Sequence, residues 1–186
     1  MLSLADGEIL VRLARQAIMS VFSKKDISFD SNLDKVGVFV SLHDHRDNSL
    51  RGCIGFPEAS YPLNIGVAEA AKAAAFGDRR FQPVQEDELN NMIIEISVLT
   101  KPMRIYNINE IEIGKDGLVV EYNHSKGLLL PQVAVEFSWG REEFLNHACS
   151  KAGLPSDHWK DNKIKIYKFQ AEIFKEKEPR GEVKKC

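Results

Sequence analysis

The sequence predicts an α+β protein, a mostly antiparallel sheet with flanking helices. Three observations carry that class. Helical and strand patterns alternate irregularly along the chain. Two pairs of neighbouring strand patterns are joined by short polar turns, as hairpins are. Regular strand–helix–strand repetition and a glycine-rich dinucleotide signature are both missing.

Ser3 stands where a helix cap belongs, with Asp6 three residues on to complete a capping box. Leu10, Leu13, Ala14, Ala17, Ile18 and Val21 then recur at helical spacing and give one apolar face. Arg12, Arg15 and Gln16 fall largely outside it. Lys24 and Lys25 lie near the helix end, where the helix dipole favours cations. A polar loop is expected to about Asp34. Val36, Val38, Val40 and Leu42 alternate as a half-buried strand does, and His43 to Asn48 form a polar turn. The next strand carries Leu50-Arg51-Gly52-Cys53-Ile54-Gly55, so the two should form a hairpin. Pro57 and Pro62 bracket a loop, and Pro62 suits the first turn of a helix. Leu63 to Phe76 is alanine-rich with a narrow polar stripe of Asn64, Glu69 and Lys72, the pattern of a buried helix. Gly77 to Pro83 is a loop.

Met92 to Leu99 is a β-branched run, read as a central strand. A short strand is expected between Arg104 and Ile113. Leu118 to Tyr122 and Leu128 to Val133 read as a second hairpin, with Pro131 placing its end at an edge or bulge. Ser138 to Ala152 reads as a helix with Phe144, Leu145, Ala148 and Cys149 as its apolar face. Gly153 and Pro155 stop it. Residues 164 to 173 alternate as one long final strand. Glu176 to Lys185 is charged, contains Pro179 and Gly181, and is expected to be a mobile tail (176–186) after a domain of residues 1–175.

The 186 residues, 44% hydrophobic and 28% charged, are ordinary for one globular domain or two joined subdomains. A net charge of −2 argues against a general nucleic-acid surface. No apolar run reaches the ~18 residues of a membrane span, and the N-terminus lacks a signal pattern. Cysteines at 53, 149 and 186 make no disulfide framework, so a reducing cytoplasm is expected.

In an extended strand Arg51, Cys53 and Gly55 share one face, and Leu50, Gly52, Ile54 and Phe56 the other. Two glycines around one cysteine indicate that something approaches this backbone closely. Arg51 can favour the thiolate form of Cys53, which makes both candidate catalytic residues. The other reading of Cys53 is a small buried hydrophobe. His43, His45, His124 and His147 are candidate bases, and none is fixed by spacing. His43, His45, His147 and Cys149 lack the spacing of a metal site, so no metal is expected.

The chain resembles the AMMECR family, named for a human chromosomal region linked to Alport syndrome with other features. The residues that carry this are Leu50 to Gly55, Ala73 to Phe76 running into Asp78-Arg79-Arg80-Phe81, and Ile96 to Thr100. Gly114-Lys115-Asp116-Gly117-Leu118, Leu128 to Val133, Glu143-Phe144-Leu145 and Lys151-Ala152-Gly153-Leu154 follow in order. The resemblance implies two unequal subdomains with a cleft between them and the glycine–cysteine motif near it. It implies no settled activity. Proposals for the family run from an enzyme to a part of nucleic-acid or translation machinery. Some relatives are joined to, or encoded beside, dioxygenase-like and radical-SAM proteins, which fits a cofactor-dependent modification pathway, with the cofactor itself unidentified. Two departures stand out. Family members often read Asp-Pro-Arg-Phe-Pro-Pro where this chain has Asp78-Arg79-Arg80-Phe81-Gln82-Pro83, and many carry histidine in place of Asp116. The expected concave surface is Arg51, Cys53, Asp78, Arg80 and Phe81, with Gly52 and Gly55 as backbone contacts. Arg80 would orient a carboxylate or phosphate, Asp78 would hold an arginine, and Phe81 would supply an apolar wall. A structural Asp78–Arg80 ion pair is the other reading of the loop. An enzyme acting on a small molecule and a non-catalytic module binding a protein partner both remain open.

Overall fold

The computed structural model describes residues 2–25, 34–161 and 163–186, and most of the polar loop expected after the first helix (26–33) lies outside the described residues. The helices are α1 (Leu4–Ser23), α2 (Leu63–Phe76), α3 (Pro131–Glu136) and α4 (Arg141–Lys151). The strands are β1 (Val38–Asp44), β2 (Leu50–Phe56), β3 (Met92–Leu99), β4 (Met103–Ile105), β5 (Gly117–Tyr122), β6 (Ser125–Leu129), β7 (Lys165–Phe169), β8 (Ala171–Glu176) and β9 (Val183–Lys185). These elements form two compact units, Met1–Leu99 with Glu172–Cys186, and Thr100–Ala171. No described helix is long and apolar enough to cross a membrane.

The first unit is a sheet of order β2-β1-β3-β8-β9 with α1 and α2 on one face. The β-branched run of β3 is its central strand, as the sequence indicates. β1 and β2 pair as the expected hairpin, with Val40 opposite Ile54 and Ser41 opposite Cys53. Val38, Val40, Leu42, Ile94 and Ile96 point to the helices and are buried. The alanines of α2 let it lie close: Ala68, Ala70 and Ala71 have no exposed surface. A Cβ at Gly52 would stand 2.2 Å from the Ala74 carbonyl oxygen, so the backbone of α2 rests on β2. Ser3 caps α1 through the capping box with Asp6.

Two expectations about this unit change. Arg15 is buried and Val21 is 46% exposed, the reverse of the helical-face reading. The reason lies at the far end of the chain. Glu176 accepts from Arg15 Nε at 3.1 Å and from the Ile94 N–H at 2.9 Å, while Arg15 also donates to the Leu89 and Met92 carbonyls. A buried ion pair with every group satisfied is tolerated, and this one joins α1 to β8. The charged 176–186 segment is therefore no free tail. It turns back, pairs β9 with β8 and buries Val183.

The second unit is a sheet of order β4-β7-β5-β6, and its core includes residues of α3 and α4. β5 and β6 form the second hairpin around Asn123, whose positive φ of 52° suits a tight turn. The β6 strand stops at Leu129. Pro131 begins α3 rather than ending a strand, because the first helical position needs no N–H. α4 starts at Arg141, three residues after the expected Ser138, and buries the expected Phe144, Leu145, Ala148 and Cys149. Residues 164–173 are not one strand. Gln170 breaks them, exchanging backbone hydrogen bonds with Thr100 through its carbonyl and with the Thr100 hydroxyl through its N–H, both at 2.8 Å. β7 and β8 thus serve different sheets, and each keeps the period of two that made them read as one.

Glu176→Ala leaves Arg15 buried without its partner and should cost about 3–5 kcal/mol, read from the urea midpoint. Ala71→Leu should overpack the α2 contact and cost about 1–3 kcal/mol, while Ile9→Ala, on the exposed side of α1, should leave the midpoint unchanged.

Candidate functional site

β2 is an edge strand, with β1 on one side only. At Cys53 both peptide groups point to the free edge. The Cys53 N–H donates to Asp78 Oδ2 at 2.9 Å, and the Cys53 carbonyl accepts from Arg80 Nη2 at 3.3 Å. Asp78 holds Arg80 in turn. Its Oδ1 accepts from the Arg80 N–H and Nε at 3.1 and 3.0 Å, and its Oδ2 from Nη2 at 2.7 Å. Sequence distance is overcome by direction. α2 runs ~20 Å at 1.5 Å per residue and retraces β2 with Ala74 over Gly52, which brings the following loop level with Cys53. Asp78 is buried. The Arg80 guanidinium, opposed by burial and aided by the Cys53 N–H, holds its carboxyl well below the usual carboxylate range.

The Cys53 side chain and the open side of Gly55 lie on the sheet face away from α1 and α2, as the alternation requires, while a β-bulge at Arg51 breaks the alternation there. Cys53 is half-buried, and its sulfur and Ser41 Oγ share a hydrogen bond at 3.2 Å. The ladder continues the row. Ser41 is also directly opposite Glu95 of β3, and Glu95 pairs with Lys175 of β8 at 3.3 Å. Gly55 lies against Phe39, whose ring would meet a Cβ there at 2.3 Å. The close approach that the glycines signal is thus made by the chain itself, α2 at Gly52 and Phe39 at Gly55.

Arg51 has a different task from the one expected of it. Its guanidinium is taken up by Glu88, at 2.9 and 3.0 Å, and by the Gln82 carbonyl at 2.7 Å. It ties the 78–83 loop and the turn that follows to the edge of β2. Burial would raise the Glu88 carboxyl, and hydrogen bonds from Arg51 and the Gln85 N–H outweigh it and lower it. Phe81 is half-buried, with the Arg80 guanidinium 5.4 Å from its ring centre. Cys53, Asp78, Arg80 and Phe81 are therefore one cluster, and Arg51 is its brace.

Among the described residues of the first unit, no histidine hydrogen-bonds the Cys53 sulfur. His43 faces Asn48, Lys175 and Glu95. Burial, then the Lys175 charge, pushes its imidazole below the usual value, and its Nε2 is buried without a partner among the described residues. His124, His147 and Cys149 belong to the second unit, where burial pushes the Cys149 thiol up. Asp116 is structural. Burial would raise its carboxyl, yet hydrogen bonds from the Glu112 N–H, Gln170 and Lys168 keep it low. Among the described residues no three His, Cys, Asp or Glu side chains come together as a metal-binding group. Ser41, Glu95 and Lys175 escaped the sequence reading. For Glu95 and Ser41 the signals were the lone charge in the β-branched run and the lone hydroxyl in the β1 alternation; Lys175 had none.

An α+β fold with a cysteine-bearing edge strand, clamped by an Asp–Arg loop, is the class of protein defined so far. The chain belongs to the AMMECR1 family, whose model matches residues 11–174. It is 46% identical to Protein MJ0810 of Methanocaldococcus jannaschii, over 98% of this chain and 96% of that one. Protein PF1979 of Pyrococcus furiosus is 50% identical, over 96% and 92%. The crystal structure of the uncharacterized protein PH0010 from Pyrococcus horikoshii is similar with a TM-score of 0.82 at 46% identity, over 97% and 96% of the two chains. None of these names states an activity.

Asp78→Ala strands the Cys53 N–H and frees Arg80, and should cost about 1–3 kcal/mol. The lowered Asp78 carboxyl gives stability that is present above the unfolded carboxylate value of about 4 and lost as pH falls. Urea midpoints between neutral and acid pH should therefore fall less steeply in Asp78→Asn than in the parent.

Proposed function

We propose that the cluster around Cys53 binds a small anionic molecule and presents an electrophilic carbon of it to the Cys53 thiol, as an enzyme or an enzyme's partner subunit does. The observation that carries this reading is the state of Arg80. Asp78 and the Cys53 carbonyl fix its Nε and Nη2, and its Nη1 makes no hydrogen bond among the described residues. A guanidinium so held is pre-organised for a carboxylate or phosphate, and its orientation costs nothing further when the ligand arrives. The thiol stands on the same strand residue whose carbonyl Arg80 grips. Phe81 supplies an apolar wall beside the charge.

Arg51, Gly52 and Gly55 support the site as architecture. A protein with Cys186→Ser leaves Cys53 and the buried Cys149 as its thiols. Iodoacetate and iodoacetamide differ in charge and share the same chemistry: the thiolate sulfur bonds to carbon, and iodide leaves with the bonding pair. Peptide mapping should find Cys53 modified in the native protein. The rate ratio of iodoacetate to iodoacetamide should fall about tenfold in Arg80→Gln, the loss of one charge-assisted contact. A native protein whose Cys53 resists both reagents would sink the thiol reading, and an unchanged ratio would remove Arg80 from anion binding.

A further inference from the structure

The row of side chains across the sheet reaches beyond the thiol. We infer that Ser41 and Glu95 form a proton outlet for Cys53, with Ser41 touching the reacting sulfur and Glu95 acting through it as a positioning residue. This rests on the thiol reading given above.

Ser41 is central to the geometry. It is the ladder partner of Cys53 on one side and of Glu95 on the other. Residues directly opposite in an antiparallel pair point to the same face, with Cβ atoms ~4.5–5.5 Å apart. The Ser41 hydroxyl already bonds the Cys53 sulfur at 3.2 Å. Glu95 is half-buried in a strand otherwise made of apolar residues and Ser97, a place where a carboxylate is costly unless held. Lys175 holds it at 3.3 Å, and Lys175 is itself anchored to Asn48 Oδ1 at 3.1 Å in the β1–β2 turn. The charged and titratable groups facing the row are Glu95 from β3, Lys175 from β8, His43 from β1 and Arg80 beside Cys53.

Proton bookkeeping closes within these residues. In the resting thiol, the S–H donates to Ser41 Oγ, and the Glu95 carboxylate, held by Lys175 in the structure, swings across to its ladder partner to take the Ser41 O–H. As sulfur attacks, its proton passes to Ser41 Oγ while the Ser41 proton passes to the Glu95 carboxylate. Ser41 then donates to the sulfur across the same 3.2 Å contact. Glu95 is left neutral beside Lys175 and returns the proton to solvent or to a leaving group. A serine hydroxyl is suited to this because it gives and takes one proton at the same atom.

The test uses the Cys186→Ser protein and iodoacetamide, which has no charge for Arg80 to select. Ser41→Ala, Ser41→Thr and Glu95→Gln are compared at about pH 7 and about pH 9.5, the latter above the ordinary thiol range. At neutral pH, Ser41→Ala and Glu95→Gln should label Cys53 about tenfold more slowly or worse, the smaller part of a general-base effect. Ser41→Thr, which keeps the hydroxyl, should label at the parent rate. At the alkaline pH, where hydroxide removes the thiol proton unaided, all rates should converge. A purely structural defect would slow labelling equally at both pH values, and that result overturns the outlet. So does a parent-like rate in Glu95→Gln at neutral pH. Should Ser41→Ala fail to fold, Glu95→Gln alone decides. A parent whose Cys53 does not label at either pH overturns the thiol reading itself, and the outlet with it.

Discussion

A Cβ at position 52 would stand 2.2 Å from the Ala74 carbonyl oxygen, closer than non-bonded atoms approach. The backbone of α2 therefore rests on β2, and glycine is what makes the contact available. Much else in the first unit follows from it. The alanines of α2 share its closeness, since larger side chains would lift the helix off the sheet. The helix runs back over the strand that precedes it, so its C-terminal end arrives at the free edge of β2. The loop beginning at Asp78 then meets the peptide of Cys53.

That edge would otherwise present an unpaired N–H and C=O to solvent. Asp78 accepts the one and Arg80 donates to the other, which gives Cys53 the hydrogen bonds a neighbouring strand would supply. The Asp78–Arg80 pair is thus an architectural ion pair, the plainer of the two roles the loop was expected to have. The same geometry leaves Arg80 Nη1 without a hydrogen bond among the described residues. Arg51 and Glu88 add a second ion pair that keeps the loop on the edge.

Buried charge recurs elsewhere among the described residues, and there too it is held by hydrogen bonds. Arg15 and Glu176 join the first helix to the eighth strand through two side-chain hydrogen bonds, and hold the backbone at Leu89, Met92 and Ile94 through three more. Asp116 gathers Lys168, Gln170 and the Glu112 N–H.

The sequence by itself determined the α+β class, both hairpins, the bounds of α2 and β3, the cap of α1 and the apolar face of α4. These are local properties: periodicity, capping chemistry and turn residues act over a few positions. It also marked Gly52 and Gly55 as places of close approach, while the expectation that Arg51, Cys53, Asp78, Arg80 and Phe81 belong together came from the family resemblance. Only the tertiary structure decided what approached those glycines, that Arg51 braces a loop, and that residues 164–173 divide between two sheets. Only it paired Arg15 with Glu176 and set Ser41 between Cys53 and Glu95. The reason is physical. Strand neighbours, buried ion pairs and the direction in which a helix retraces its strand join residues tens to more than a hundred positions apart, and no periodicity in the chain records which distant residue will be opposite.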